Sequence, residues 1–86
     1  MMVVSFVPGR IRLRFRELKN QAICDLVHAR LKEIAGITHV EIKTLTGSIL
    51  LEYDTRILST EKLFKLGRAE LAKVNITLDI QDMAGS

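Results

Sequence analysis

Arginine and a large apolar residue alternate from position 10 to position 16, as Arg10-Ile11-Arg12-Leu13-Arg14-Phe15-Arg16. Guanidinium groups meet carboxylates and phosphates through forked, paired hydrogen bonds, so such a row could recognise an anionic surface. Lys19 and Lys43 add charge of the same sign. Cys24 and His28 are a second chemically capable pair, spaced so that a helix would set both on one face. Thiolate and imidazole suit Cu(I) and Zn(II), but a metal site normally takes three or four ligands. Two ligands from one chain therefore imply, at most, a site completed by a second molecule. A small packing residue and a redox-active thiol near a helix start are the other readings of Cys24. His28 and His39 fall on different elements, with no carboxylate at a telling spacing, and read as surface residues. No Ser/His/Asp or Cys/His constellation and no glycine-rich phosphate cradle is visible, so a non-enzymatic role is expected.

These side chains need a scaffold, and 86 residues provide for one small domain with a single two-layer core. Aromatic residues are scarce, so Ile, Leu, Val and Ala must fill that core. No apolar run approaches the ~20 residues of a membrane span. The opening MMVVSFV is short for a secretory signal and lacks a basic leader. Cys24 is the only cysteine, so no intramolecular disulfide forms, which fits a reducing compartment. A cytoplasmic location is the expectation. The net charge of +3 is too modest to argue by itself for nucleic acid or membrane.

A strand sends successive side chains to opposite faces, so the arginine segment predicts one apolar face and one face carrying four guanidinium groups. A helix would scatter those arginines around its axis. Residues 17–20 read as a connection ending in a helix cap at Asn20. Ile23, Leu26, Val27, Leu31 and Ile34 then recur at helical spacing, and Gly36 is placed to end that helix. Val40 and Ile42 predict a second strand, residues 44–47 a hairpin turn, and Ile49, Leu51 and Tyr53 the inward face of a third strand. Ser59 or Thr60 caps a second helix buried through Leu63, Phe64, Leu71 and Val74. Gly67 inside it suggests close packing on the sheet. Residues 75–80 alternate again as a fourth strand, with Ile76, Leu78 and Ile80 inward, and residues 81–86 read as a polar tail.

The order is β-α-β-β-α-β. Right-handed crossovers place both helices on one face of a four-stranded antiparallel sheet, which is the ferredoxin-like α+β arrangement. Residues 1–80 would form this single domain. Met2 to Val7 would lengthen the first strand through a break at Pro8-Gly9, pack over the sheet edge, or pair across a subunit boundary to give a homodimer.

Three stretches carry a resemblance: Pro8-Gly9-Arg10-Ile11-Arg12-Leu13-Arg14, Ala35-Gly36-Ile37 with Val40-Glu41-Ile42, and Leu45-Thr46-Gly47-Ser48 running on to Tyr53-Asp54. Together they resemble heavy-metal-associated domains, most closely the subgroup that lacks the CxxC metal motif. Members with the motif bind soft metal through two cysteines on the loop entering the first helix. Counting back from Gly36, those positions fall on Asn20 and Ile23, which supply no thiolate. The resemblance thus implies the fold and an association with metal-transporting ATPases, without the metal site.

Three uses of the arginine face follow. It could be a solvent face compensated by Glu52, with Glu41, Asp54 and Asp79 contributing, or a docking face for an acidic protein. As a nucleic-acid surface it would lack exposed aromatics, since Phe15 and Tyr53 share the buried phase. The expected function is an adaptor linked to metal transport or homeostasis, docking through Arg10, Arg12, Arg14 and Arg16 with Lys19 and Lys43. No cofactor is expected; the alternative is Cu(I) or Zn(II) at a shared Cys24/His28 site.

Overall fold

A computed structural model describes residues 2–74 and residue 76. The chain forms strand β1 (Met2–Val7), β2 (Arg10–Arg14), a short 3-10 helix (Arg16–Lys19), α1 (Gln21–Lys32), β3 (Ile37–Lys43), β4 (Ser48–Tyr53) and α2 (Thr60–Ala72). The strands make one antiparallel sheet in the order β1-β2-β4-β3. Its inward side chains and those of both helices share one apolar core, so the helices cover a single face. This is a ferredoxin-like α+β fold.

The sheet's edge strand beside β2 is Met2–Val7, folded back through Pro8-Gly9 as a hairpin. The segment is thus a paired edge strand of its own; it neither lengthens β2 nor merely packs over the sheet edge. Pro8 sits in the turn, where its missing N–H costs no ladder bond, and the register instead shifts between Val3 and Ser5. The expected strand at residues 75–80, apart from Ile76, lies outside the described residues, as do Leu78 and the polar tail.

Local signals explain most boundaries. Asn20 caps α1 by accepting from the amides of Ala22 and Ile23, at 2.9 and 3.3 Å. Ser59 caps α2 by accepting from Lys62 N–H at 3.1 Å. Helix α1 stops at Lys32, earlier than Gly36 implied, and Gly36 instead brings the backbone close to Leu58. Any Cβ at Gly36 would stand 2.6 Å from the Leu58 Cβ.

The core matches the expected inward phases at Ile11, Leu13, Phe15, Val27, Leu31, Val40, Ile49, Leu51, Tyr53, Leu63, Phe64, Leu71 and Ile76. Ile23, Ile34, Ile42 and Val74 are only partly buried against it. Leu26 departs from expectation and is 50% exposed. The buried stripe of α1 is Cys24, Val27 and Leu31, and Leu26 stands ~100° around the axis from Val27. Two core residues that the periodicity did not mark come from connections, Leu18 in the 3-10 helix and Leu58 before α2. Gly67 is buried but not closely packed: a Cβ there would meet nothing within 4 Å.

Candidate interaction surface

Strand β2 holds Arg10, Arg12 and Arg14 on the sheet face away from the helices, because Ile11 and Leu13 between them are committed to the core. The strand ends there. Phe15 turns its ring inward while its N–H donates to Gly47 O at 2.8 Å, and Arg16 opens the 3-10 helix. Three arginines rather than four therefore stand on the strand. Arg16 and Lys19 carry the positive charge around the end of the sheet.

The register sets out the rest of this outer face. Arg10 lies opposite Glu52, which lies opposite His39. Arg12 lies opposite Leu50, which lies opposite Glu41. Arg14 lies opposite Ser48, which lies opposite Lys43. The rows thus run from mixed charge at Arg10 to wholly basic at Arg14 and Lys43. The turn at residues 44–47 then meets the 3-10 helix, where a Cβ on Gly47 would stand 3.4 Å from Lys19 Cγ. Arg14, Arg16, Lys19 and Lys43 thus sit on elements that meet at this end, with Lys43 brought there from a remote strand.

Leu50 is the apolar exception on the outer face. It is only 7% exposed, yet it stands apart from the main core cluster. Its lateral neighbours are Arg12 and Glu41, and long side chains of this kind cover apolar surface with their stems while their heads stay in water.

Among the described residues, ion pairs within 4.0 Å join Arg30 to Glu70, Lys73 to Glu70, and Arg56 to Asp54. Arg10, Arg12, Arg14, Arg16, Lys19 and Lys43 take part in none of them. Glu52 does occupy the register position expected of a compensating acid. Asp54 is engaged elsewhere, with its carboxylate gripped by Arg56 at 2.8 Å, and Asp79 lies outside the described residues.

Cys24 and His28 do come together, lining an open groove of about 300 Å³ between α1 and β3 with Asp25 and Glu41. Cys24 is 3% exposed and its thiol donates to Leu18 O at 2.8 Å. Burial, and secondarily the Asp25 charge, push its pKa above the ordinary thiol value. Both effects favour the protonated thiol over the thiolate that a metal needs. Among the described residues no three His, Cys, Asp or Glu side chains are grouped to hold a metal ion.

The decisive comparison is with protein families: residues 1–75 match the family described as heavy metal associated domain 2. The chain belongs to that family. Searches of curated proteins and of solved structures returned no significant match. Heavy-metal-associated domains share the ferredoxin-like arrangement seen here. In this heavy-metal-associated domain, Asn20 caps α1 and Ile23 packs against the core.

Proposed function

We propose that this heavy-metal-associated domain is a non-enzymatic, cytoplasmic interaction module of metal transport or homeostasis, docking on an acidic protein surface. A metal-transporting ATPase is the partner that the family resemblance implies. The reading rests on one observation: Arg10, Arg12 and Arg14 form a row on the outer face that continues into Arg16, Lys19 and Lys43. Complementary charge of this kind chiefly raises the association rate and excludes wrong partners. The edge of the row at Glu52 and His39 supplies the contrast that would fix orientation.

The test is affinity capture from cytoplasm with wild type and with Arg12→Glu/Arg14→Glu, each checked for folding. Loss of specific acidic partners in the double variant supports the reading. Unchanged partners overturn it. A shared metal site remains the rival because Cys24 and His28 line one groove. It requires tight Cu(I) or Zn(II) binding that accompanies dimerisation and vanishes in Cys24→Ser, whereas the docking module needs neither.

A further inference from the structure

The turn between β3 and β4 carries the most exposed large apolar side chain among the described residues: Leu45 is 91% exposed. The turn is braced rather than loose. Gly47 N–H donates to Lys43 O at 2.9 Å, the hydroxyls of Thr46 and Ser48 are 2.7 Å apart, and Phe15 N–H holds Gly47 O from the adjoining strand end. A leucine on a turn tied at both sides is held out in solvent and does not fold back on the core.

Its surroundings are basic on one flank. Lys43 stands at the foot of the turn, Lys19 lies along Gly47, Arg14 lies across Ser48 from Lys43, and Arg16 follows Phe15. Glu17 is the carboxylate on the same 3-10 helix, while Asp25 and Glu41 line the groove on the other flank with Thr44. Single exposed apolar side chains are ordinary. A rigidly projected one on a turn flanked by basic strand and helix ends is a different arrangement, because it pairs an apolar tip with a basic rim.

We propose that this end of the molecule docks peripherally on an anionic lipid bilayer. Leu45 enters the headgroup layer, and Arg14, Arg16, Lys19 and Lys43 meet the lipid phosphates and carboxylates. Apolar insertion and electrostatic attraction are each marginal alone and bind stably when combined. No described helix is long and apolar enough to cross a membrane, so the contact is one of surface attachment. Nucleic acid would satisfy the cations but gives a leucine no apolar layer to enter, and stacking on bases needs an aromatic ring. On the bilayer, the protein-docking row is engaged through its Arg10 and Arg12 end, farther along the outer face, while Arg14, Arg16, Lys19 and Lys43 face the lipid.

Sedimentation of the intact chain with vesicles tests this, comparing purely zwitterionic phospholipid with a mixture containing about one-third anionic lipid. The expected result is at least about tenfold tighter binding to the anionic vesicles. Leu45→Ser should weaken that binding about fivefold, and Lys19→Glu with Lys43→Glu should abolish it. Leu45→Trp adds the chain's only tryptophan, and its emission should shift to the blue on anionic vesicles. Thermal unfolding confirms that each variant is folded. Absence of binding to anionic vesicles, equal binding by wild type and Leu45→Ser, or unmoved tryptophan emission would each overturn the proposal. So would salt-sensitive binding of a generic RNA without vesicle binding, which would assign this end to nucleic acid.

Discussion

Cys24 donates its thiol proton to the main-chain carbonyl of Leu18 at 2.8 Å, and both residues are buried. The bond ties the 3-10 helix to α1 and gives the lone cysteine a structural role. At pH 8, alkylation of Cys24 should be at least about a hundredfold slower in the folded chain than in the unfolded one. Equal rates would show that the thiol is accessible. Its folded pKa lies above the ordinary 9.0, so the associated stability is whole below that value. It is lost as pH climbs from there through the folded pKa. Denaturant titrations should show wild type losing more stability than Cys24→Ala over that alkaline range.

Asp54 behaves in the opposite sense. The Arg56 side chain, and then the Arg56 backbone N–H, hold its carboxyl at about 2. With the folded pKa below the ordinary 3.8, the contribution to stability is present above 3.8 and disappears as pH falls through about 2. A carboxyl-detected NMR titration should place the Asp54 midpoint near that low value. In Arg56→Ala it should return toward 3.8. A midpoint unmoved by that substitution would exclude the Arg56 side chain as the cause.

Two glycines should respond to alanine with opposite signs. Gly67 is buried in the middle of α2, yet a Cβ there meets nothing within 4 Å. Gly67→Ala should therefore stabilise the fold by about 0.5–1 kcal/mol through helix propensity and reduced unfolded-state entropy. Gly47 has φ +69° and faces the Phe15 carbonyl at the basic end. Gly47→Ala should cost roughly 1–3 kcal/mol from a disfavoured backbone conformation and the collision with that carbonyl. Urea denaturation of the pair settles both.

Leu50 provides a check on the outer face. If Arg12 and Glu41 cover it as the register indicates, Leu50→Ala should destabilise by about 1–2 kcal/mol, less than the ~2–5 kcal/mol expected for a residue of the main core such as Leu51. Arg12→Ala should lose part of the same stability, and Arg12→Lys, which keeps a long stem, should retain most of it. An Arg12→Ala variant as stable as wild type would confine that arginine to charge.

Much of the fold could be read from local pattern. The alternation at residues 10–14 marked β2 and its inward Ile11 and Leu13, and Asn20 and Ser59 marked the starts of both helices. Gly67 carries no such signal, because a glycine in a helix is compatible with close packing and with empty space alike. Only the distance to the sheet distinguishes them. Leu18 and Leu58 carry no local signal of burial, because they sit in connections without periodicity, where burial depends on where the chain is carried next. The row Arg10-Glu52-His39 was legible in part through the phase of Glu52, but its partner on β3 required the register.

The sequence by itself determined which residues alternate, which cap and which carry charge, because those properties arise within a few residues of chain. It also determined that Asn20 and Ile23 cannot act as a thiolate pair. Tertiary structure alone decided that Met2–Val7 lies beside β2, that Arg16 leaves the strand, and that Lys19 lies against the Leu45 turn at Gly47. It also decided that Leu50 is covered and Leu26 is not. The reason is geometric: each of these outcomes depends on contacts between segments remote in sequence, and local periodicity holds no record of the distances that close between them.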